Sequence, residues 1–234
     1  MMFNPLGKSA DCSYGSHPAM KYDEFPVNDK SAPVVMFWHG GSWKSGNKNH
    51  YQYVGRCLQK MGVHAIIVGY RLFPEQTFPG FIDDAKLAVE VVKKQYPNRP
   101  IYLMGHSAGG HIALITAMTS PAKTVSGCVA IAAPCYIGKH YQNIFGQAME
   151  NNLQDPRSYI KQIPPGMRFC LIHGRRDHIV KLKDSESLHK LLLANGTPCT
   201  LLINKLTGHF SILAALFFGR LPAIKRQLRE LLMR

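Results

Sequence analysis

No stretch of this sequence approaches the roughly 18–20 uninterrupted apolar residues that a membrane-spanning helix needs, so the pattern excludes a transmembrane segment. Residues 1–8 lack the apolar run of a secretory signal peptide, and a cytoplasmic location is the expectation. The six cysteines form no CxxC pair, which argues against a zinc ribbon or a thioredoxin-type site. Cys128 and Cys170 lie inside apolar runs and read as small buried hydrophobes, and the set as a whole reads as reduced thiols. Acid is scarce: 14 Asp and Glu stand against 28 Lys and Arg, a formal net charge of +14. Such an excess attracts anionic partners and keeps a chain soluble, but does not bear on fold. The cations are dispersed, apart from 44–48, Arg175-Arg176 and the stretch 220–234. No aromatics interleave with them as a single-strand binder requires, so nucleic acid is not an expected partner. Repeats, low-complexity tracts and linkers are missing too, which points to one domain over 1–234.

What is present is an alternation of short apolar runs with longer helical stretches. The runs at 33–38, 64–69, 101–104, 127–132, 168–172 and 199–204 predict strands; 51–60, 81–95, 109–118 and 183–194 predict helices, and the chain ends in helix. In the second helix Ile82, Ala85, Val89 and Val92 share one face. Near-continuous apolar strands separated by helices imply an α/β fold, a mostly parallel twisted sheet with helices on both faces. Residues 134–166 break the rhythm and form a short insert placed to act as a lid or pocket wall. In such sheets the active site lies beyond the carboxyl ends of the strands. That brings the loops at His39, His106, Pro134, His173 and Thr207 to one edge.

The sharpest signal on that edge is Gly105-His106-Ser107-Ala108-Gly109-Gly110, between a predicted strand and a predicted helix. This is the setting of a nucleophile elbow: small residues two places either side of the serine allow the tight turn. A serine hydroxyl needs a base, and the base an orienting acid. Asp177 follows the fifth of the six strands and His209 the last, in the chain order Ser, Asp, His that this architecture uses. The remaining histidines read as surface or supporting groups, with His106 packing or hydrogen-bonding beside the site. Asp83 and Asp84 open a helix, where capping or dipole compensation accounts for them. A fourth element, His39-Gly40-Gly41-Ser42-Trp43, ends the first of these strands. Its glycines let the backbone approach a bound acyl group, and the amides of Gly41, Ser42 and Ala108 are assigned to an oxyanion hole, with His39, Gly40 and Trp43 as the supporting loop.

These residues resemble the HGG(G/x)W-bearing branch of the α/β-hydrolases, which holds hormone-sensitive-lipase-like esterases, small bacterial carboxylesterases and kynurenine formamidases. The likeness runs nearly end to end. It takes in Tyr14-Gly15 with Pro18 and Asp23, then Tyr70-Arg71-Leu72-Phe73-Pro74-Glu75, Phe78-Pro79 and Asp83-Asp84, then the elbow, the acid loop and the terminal Gly208-His209. The resemblance implies an α/β-hydrolase fold and puts the family's nucleophile, acid and base on Ser107, Asp177 and His209, with its oxyanion loop on Gly40 to Ser42. Two positions depart from the pattern. Ser42 replaces a glycine, keeping the backbone donor while its side chain narrows the pocket, and Gly69 stands where many relatives carry aspartate.

The expected chemistry is hydrolysis of a small-molecule carboxylic ester through an acyl-enzyme on Ser107, with no metal or organic cofactor. Two alternatives accompany it: an aryl-formamidase acting on N-formylkynurenine-type substrates with the same triad, and a ligand-binding protein with a decayed site. The tail places Ile224, Leu228, Leu231 and Leu232 on one helical face, a stripe suited to docking on the sheet or to resting on an anionic membrane. Stable membrane insertion is not expected, and the pattern specifies neither an oligomeric state nor an acyl chain.

Overall fold

Strands whose side chains alternate between two faces can bury both faces only if helices cover each. This chain builds that arrangement in a computed structural model that describes residue 7 and residues 9–233. The segment read against a signal peptide, apart from Gly7, and the final Arg234 of the tail lie outside them. Among the described residues eight strands form one sheet: β1 (Ser9–Ser13), β2 (Lys21–Phe25), β3 (Val34–Trp38), β4 (His64–Val68), β5 (Ile101–His106), β6 (Gly127–Ile131), β7 (Arg168–Gly174) and β8 (Cys199–Asn204). Their order is β1-β2-β4-β3-β5-β6-β7-β8. The β1–β2 and β2–β4 pairs are antiparallel, and from β4 onward through β3, β5, β6, β7 and β8 the neighbours run parallel.

β3 shows how the alternation works. Val34, Met36 and Trp38 enter one core, while Val35 and Phe37 enter the other. The first core is closed by α2 (Gly80–Gln95), α3 (Ala108–Met118) and α5 (Leu182–Ala194). The second is closed by α1 (Gln52–Lys60), α6 (His209–Phe217) and α7 (Pro222–Leu232). α3 is buried on every side, as a helix apolar all round should be. It lies between the sheet, α2 and the segment 134–166. The tail stripe docks inward: Leu228 and Leu232 are buried in the second core, the one that holds Ile172 and Leu213, and Ile224 and Leu231 pack against that core. The helical end divides at Gly219, whose φ of +81° stops α6, and Pro222 opens α7 at a position where its missing N–H costs nothing.

The segment 134–166, which contains the short helix α4 (Gln142–Phe145), is tied down from several sides. Ile137, Ile144, Phe145 and Ile160 are buried in the first core. The buried His111 of α3 donates from Nε2 to the Gln154 carbonyl (2.7 Å), and Asp184 of α5 accepts the amides of Cys135 (2.9 Å) and Tyr136 (3.1 Å).

Asp83 and Asp84 divide in a way that corrects the reading of both as helix-end acids. Asp83 stands in the first turn of α2, but Asp84 is 1% exposed and faces inward. It accepts the Arg71 backbone amide (3.1 Å) and the Arg71 guanidinium. Its carboxylate therefore anchors the loop after β4. All six cysteines are unpaired thiols. Among the described residues no helix is long and apolar enough to cross a membrane.

Candidate active site

The turn from β5 into α3 holds Ser107 at φ 54° and ψ −124°, a conformation costly for a residue with a side chain. The flanking glycines are required by contact. A Cβ on Gly105 would lie 2.2 Å from the Gly109 carbonyl oxygen, and one on Gly109 would lie 2.1 Å from that of Trp38. The turn lifts Ser107 out of the sheet and sets it at the N-terminus of α3, where unpaired amides and the helix dipole favour negative charge.

Two loops further along the sheet deliver its partners. The Ser107 Oγ lies 2.9 Å from His209 Nε2, and His209 Nδ1 lies 2.8 Å from Asp177 Oδ2. His209 is the first residue of α6, and Asp177 sits in the loop after β7. That loop is pinned by its own acid: Asp177 Oδ1 accepts the amides of Ile179 and Val180, both at 2.9 Å. Burial alone would raise the Asp177 pKa, but hydrogen bonds from His173, His209 and the Val180 amide outweigh it, and the carboxyl is held well below its ordinary value. Asp177 is therefore ionised at neutral pH and accepts the proton on His209 Nδ1, which leaves Nε2 free to act as a base toward Ser107.

Two further histidines brace this relay. His106 donates from Nε2 to the His209 carbonyl (2.9 Å), as its place beside the elbow suggested. Burial, with His209 nearby, pushes its pKa down to about 4, so it is neutral at neutral pH. His173, completely buried, places Nε2 3.4 Å from Asp177 Oδ2, with the Ser185 hydroxyl on its Nδ1 at 2.7 Å. Sequence reasoning missed this role, although His173 stands near the end of β7, four residues before the acid.

The loop after β3 lies against the elbow. A Cβ on Gly40 would come 3.1 Å from both Ser107 Cβ and the His106 carbonyl oxygen. Gly41, Ser42 and Trp43 then follow with positive φ angles of 133°, 52° and 59°. Consecutive left-handed residues gather amides on one side, a concavity suited to an anion. The carbonyls are engaged elsewhere: that of Gly41 accepts the amides of Lys44 (3.1 Å) and Ser45 (3.0 Å), and that of Gly40 accepts His39 Nδ1 (2.8 Å). Among the described residues the amides of Gly41, Ser42 and Ala108 have no protein acceptor. His39 lies behind the loop, stacked on Tyr70 and Tyr51 with centroid distances of 4.6 and 5.9 Å. Burial lowers its pKa to about 4, which makes it a neutral prop.

Ser42, Trp43, Ser107 and Ala108 line a cavity of about 350 Å³. The segment 134–166 supplies its opposite wall through Pro134, Tyr136, Ile137 and Tyr141, and Ile179 and Lys181 close a side. Trp43 is fixed edge-on to Phe145, His111 and Tyr141, at centroid distances of 4.8–5.3 Å. Tyr141 donates to the Ser42 hydroxyl (3.3 Å), so the pocket is narrowed at Ser42 by a contact that the motif alone does not specify. Among the described residues no three His, Cys, Asp or Glu side chains gather to hold a metal ion.

Sheet order, elbow and glycine loop together are those of the α/β-hydrolase fold. Residues 24–134 match the family model BD-FAE. Among curated relatives, the chain is 27% identical over 232 residues to an isoprenylcysteine alpha-carbonyl methylesterase of Arabidopsis thaliana, covering 81% of this chain and 53% of that protein. It is 26% identical over 225 residues to a kynurenine formamidase of Danio rerio, covering 88% and 76%. The chain thus spans about half the length of the plant methylesterases it matches. Among solved structures, esterase B from Lactobacillus rhamnosus HN001 superposes with a TM-score of 0.79 at 19% identity, covering 98% of this chain and 87% of that one, a likeness of fold. The curated relatives thus include carboxylic-ester hydrolases and a formamidase.

Proposed function

We propose that the chain is a carboxylesterase that cleaves a small-molecule ester through an acyl-enzyme on Ser107. The observation that carries this reading is the unbroken relay from Ser107 Oγ through His209 to Asp177, at 2.9 and 2.8 Å. His209 Nε2 takes the hydroxyl proton as Ser107 Oγ attacks the carbonyl carbon. The amides of Gly41, Ser42 and Ala108 hold the resulting oxyanion. Asp177, already ionised, stabilises the imidazolium without accepting its proton. The tetrahedral intermediate collapses, the alcohol leaves with the proton from His209, and a water activated by the same histidine hydrolyses the acyl-enzyme. These steps use protein groups and water only. A single domain with 134–166 as pocket wall, and a cytoplasmic setting suited to six unpaired thiols, belong to the same proposal.

A formamide is the second candidate substrate. It is favoured by the zebrafish formamidase, a relative whose length the chain covers to 76%. Both substrates demand the same relay, so turnover decides between them. Wild type and Ser107→Ala are compared on p-nitrophenyl esters and on N-formylkynurenine. The ester reading expects ester turnover to dominate and to fall by about 10⁴-fold or more in the variant. Dominant formamide turnover would reassign the substrate. Undiminished turnover in a folded Ser107→Ala protein would remove the mechanism.

A further inference from the structure

Between Glu186 and Glu230 the chain carries no acidic residue, while Lys190, Lys205, Arg220, Lys225, Arg226 and Arg229 all fall in that interval. The outer side of α6 within it is apolar. Phe210, Ala214 and Phe218 follow one another at four-residue spacing, hence on neighbouring parts of one face. Phe210 and Phe218 are 69% and 66% exposed, and Leu206 before the helix is 72% exposed. Leu206, Ala214, Phe218 and Leu221 line a surface groove of about 540 Å³ that also takes in Arg220.

The loop after β7 runs alongside this groove, its Arg175 and Arg176 amides bonded to the carbonyls of Asn204 (2.8 Å) and Thr207 (2.9 Å). Arg175, Arg176, Lys205 and Arg220 are exposed, and among the described residues none of the four forms an ion pair. Phe210 also packs edge-on to His209, 5.0 Å between centroids, which joins this face to the proposed active site.

Contiguous exposed apolar side chains at this density mark a surface that another phase or molecule covers. The surrounding charge selects which. A second copy of this chain would oppose cations to cations. Of the groove's lining residues only Phe218 carries a ring, too little for the run of stacking surfaces a nucleic acid uses. Apolar side chains ringed by unneutralised arginine and lysine fit an anionic bilayer, where acyl chains accept the first and headgroups the second. We propose that the outer face of α6, with the loops after β7 and β8, docks reversibly on an anionic lipid surface, with Leu206 and Phe218 entering the acyl region.

The test is flotation of the full chain with vesicles of pure phosphatidylcholine and of phosphatidylcholine with 30% phosphatidylserine. Ser107→Ala is run in parallel, so that docking is scored apart from hydrolysis. Wild type and Ser107→Ala should float with the anionic vesicles only, and release as salt rises. Leu206→Ser/Phe218→Ser should lose flotation while keeping turnover of a soluble short ester. Because Phe218 also stacks on Tyr53, 5.2 Å between centroids, a second variant leaves the apolar groove intact. Lys205→Glu/Arg220→Glu should weaken binding about tenfold or more. No flotation of wild type, flotation unchanged in both variants, or retention of the protein by single-stranded RNA but not by vesicles would each overturn the proposal.

Discussion

Tyr141, carried by the segment between β6 and β7, donates its phenolic hydrogen to the Ser42 hydroxyl of the glycine loop, 3.3 Å away. The contact ties the pocket wall to the loop that presents the oxyanion amides, and both side chains line the cavity above Ser107. Removing the hydroxyl alone should loosen the loop, whereas removing the ring should also enlarge the cavity. Tyr141→Phe is therefore expected to lower kcat several-fold with the preferred acyl length unchanged. Tyr141→Ala is expected to move the optimum of a p-nitrophenyl ester series toward longer acyl chains. An unchanged chain-length profile in Tyr141→Ala would show that this wall does not set the pocket.

His106 acts through its Nε2–H on the His209 carbonyl, and its pKa near 4 keeps it neutral where the proposed base works. A neutral donor of similar reach should serve in its place. His106→Gln should retain most activity, while His106→Ala should lose about tenfold in kcat, the worth of one buried hydrogen bond. Equal losses in the two variants would show that the imidazole matters for more than this bond.

Asp84 and Arg71 form an ion pair with one buried and one partly exposed partner, the carboxylate at 1% side-chain exposure and the guanidinium at 29%. Asp84→Asn leaves the guanidinium with a neutral acceptor. Breaking a fully buried pair costs about 3–5 kcal/mol, and solvent access to Arg71 reduces this to about 1–3 kcal/mol. A urea midpoint matching wild type would contradict the anchoring role.

The depressed pKa of Asp177 makes stability depend on acidity in a defined direction. A carboxyl held below its ordinary value of 3.8 contributes stability that is fully present above that pH and is lost as pH falls through the folded-state value. Urea unfolding of wild type and Asp177→Asn should therefore differ most above pH ~5, with the gap closing below pH ~4. A gap that widens on acidification would reverse the sign and refute the hydrogen-bond account.

The parts of this protein readable from sequence are those written in local pattern. Apolar runs marked the parallel strands. The glycines around Ser107 marked a turn whose contacts at 2.1–2.2 Å admit no side chain. Asp177 and His209 are legible as neighbours of Ser107 because each follows a strand end, and strand ends share one edge of a parallel sheet. What stayed hidden depends on distant partners. Asp84 looked like a helix-end acid because Arg71, thirteen residues earlier, carried no mark as its partner. The segment 134–166 has no periodicity of its own, since its order comes from His111 and Asp184 on two different helices. His173 was passed over because a histidine inside a buried strand gives no sign that its ring reaches Asp177. The opening antiparallel pair, β1 and β2, was visible only through family likeness, its strands being polar in places where β3, of the same length, is wholly apolar.

The central claim is that Ser107 is an activated nucleophile. Intact-mass spectrometry after fluorophosphonate treatment tests it most directly, on wild type, Ser107→Ala and His209→Ala. The account predicts one adduct on wild type, none on Ser107→Ala and strongly slowed labelling of His209→Ala. Folded wild type that takes no label, or an adduct that persists in Ser107→Ala, would contradict it.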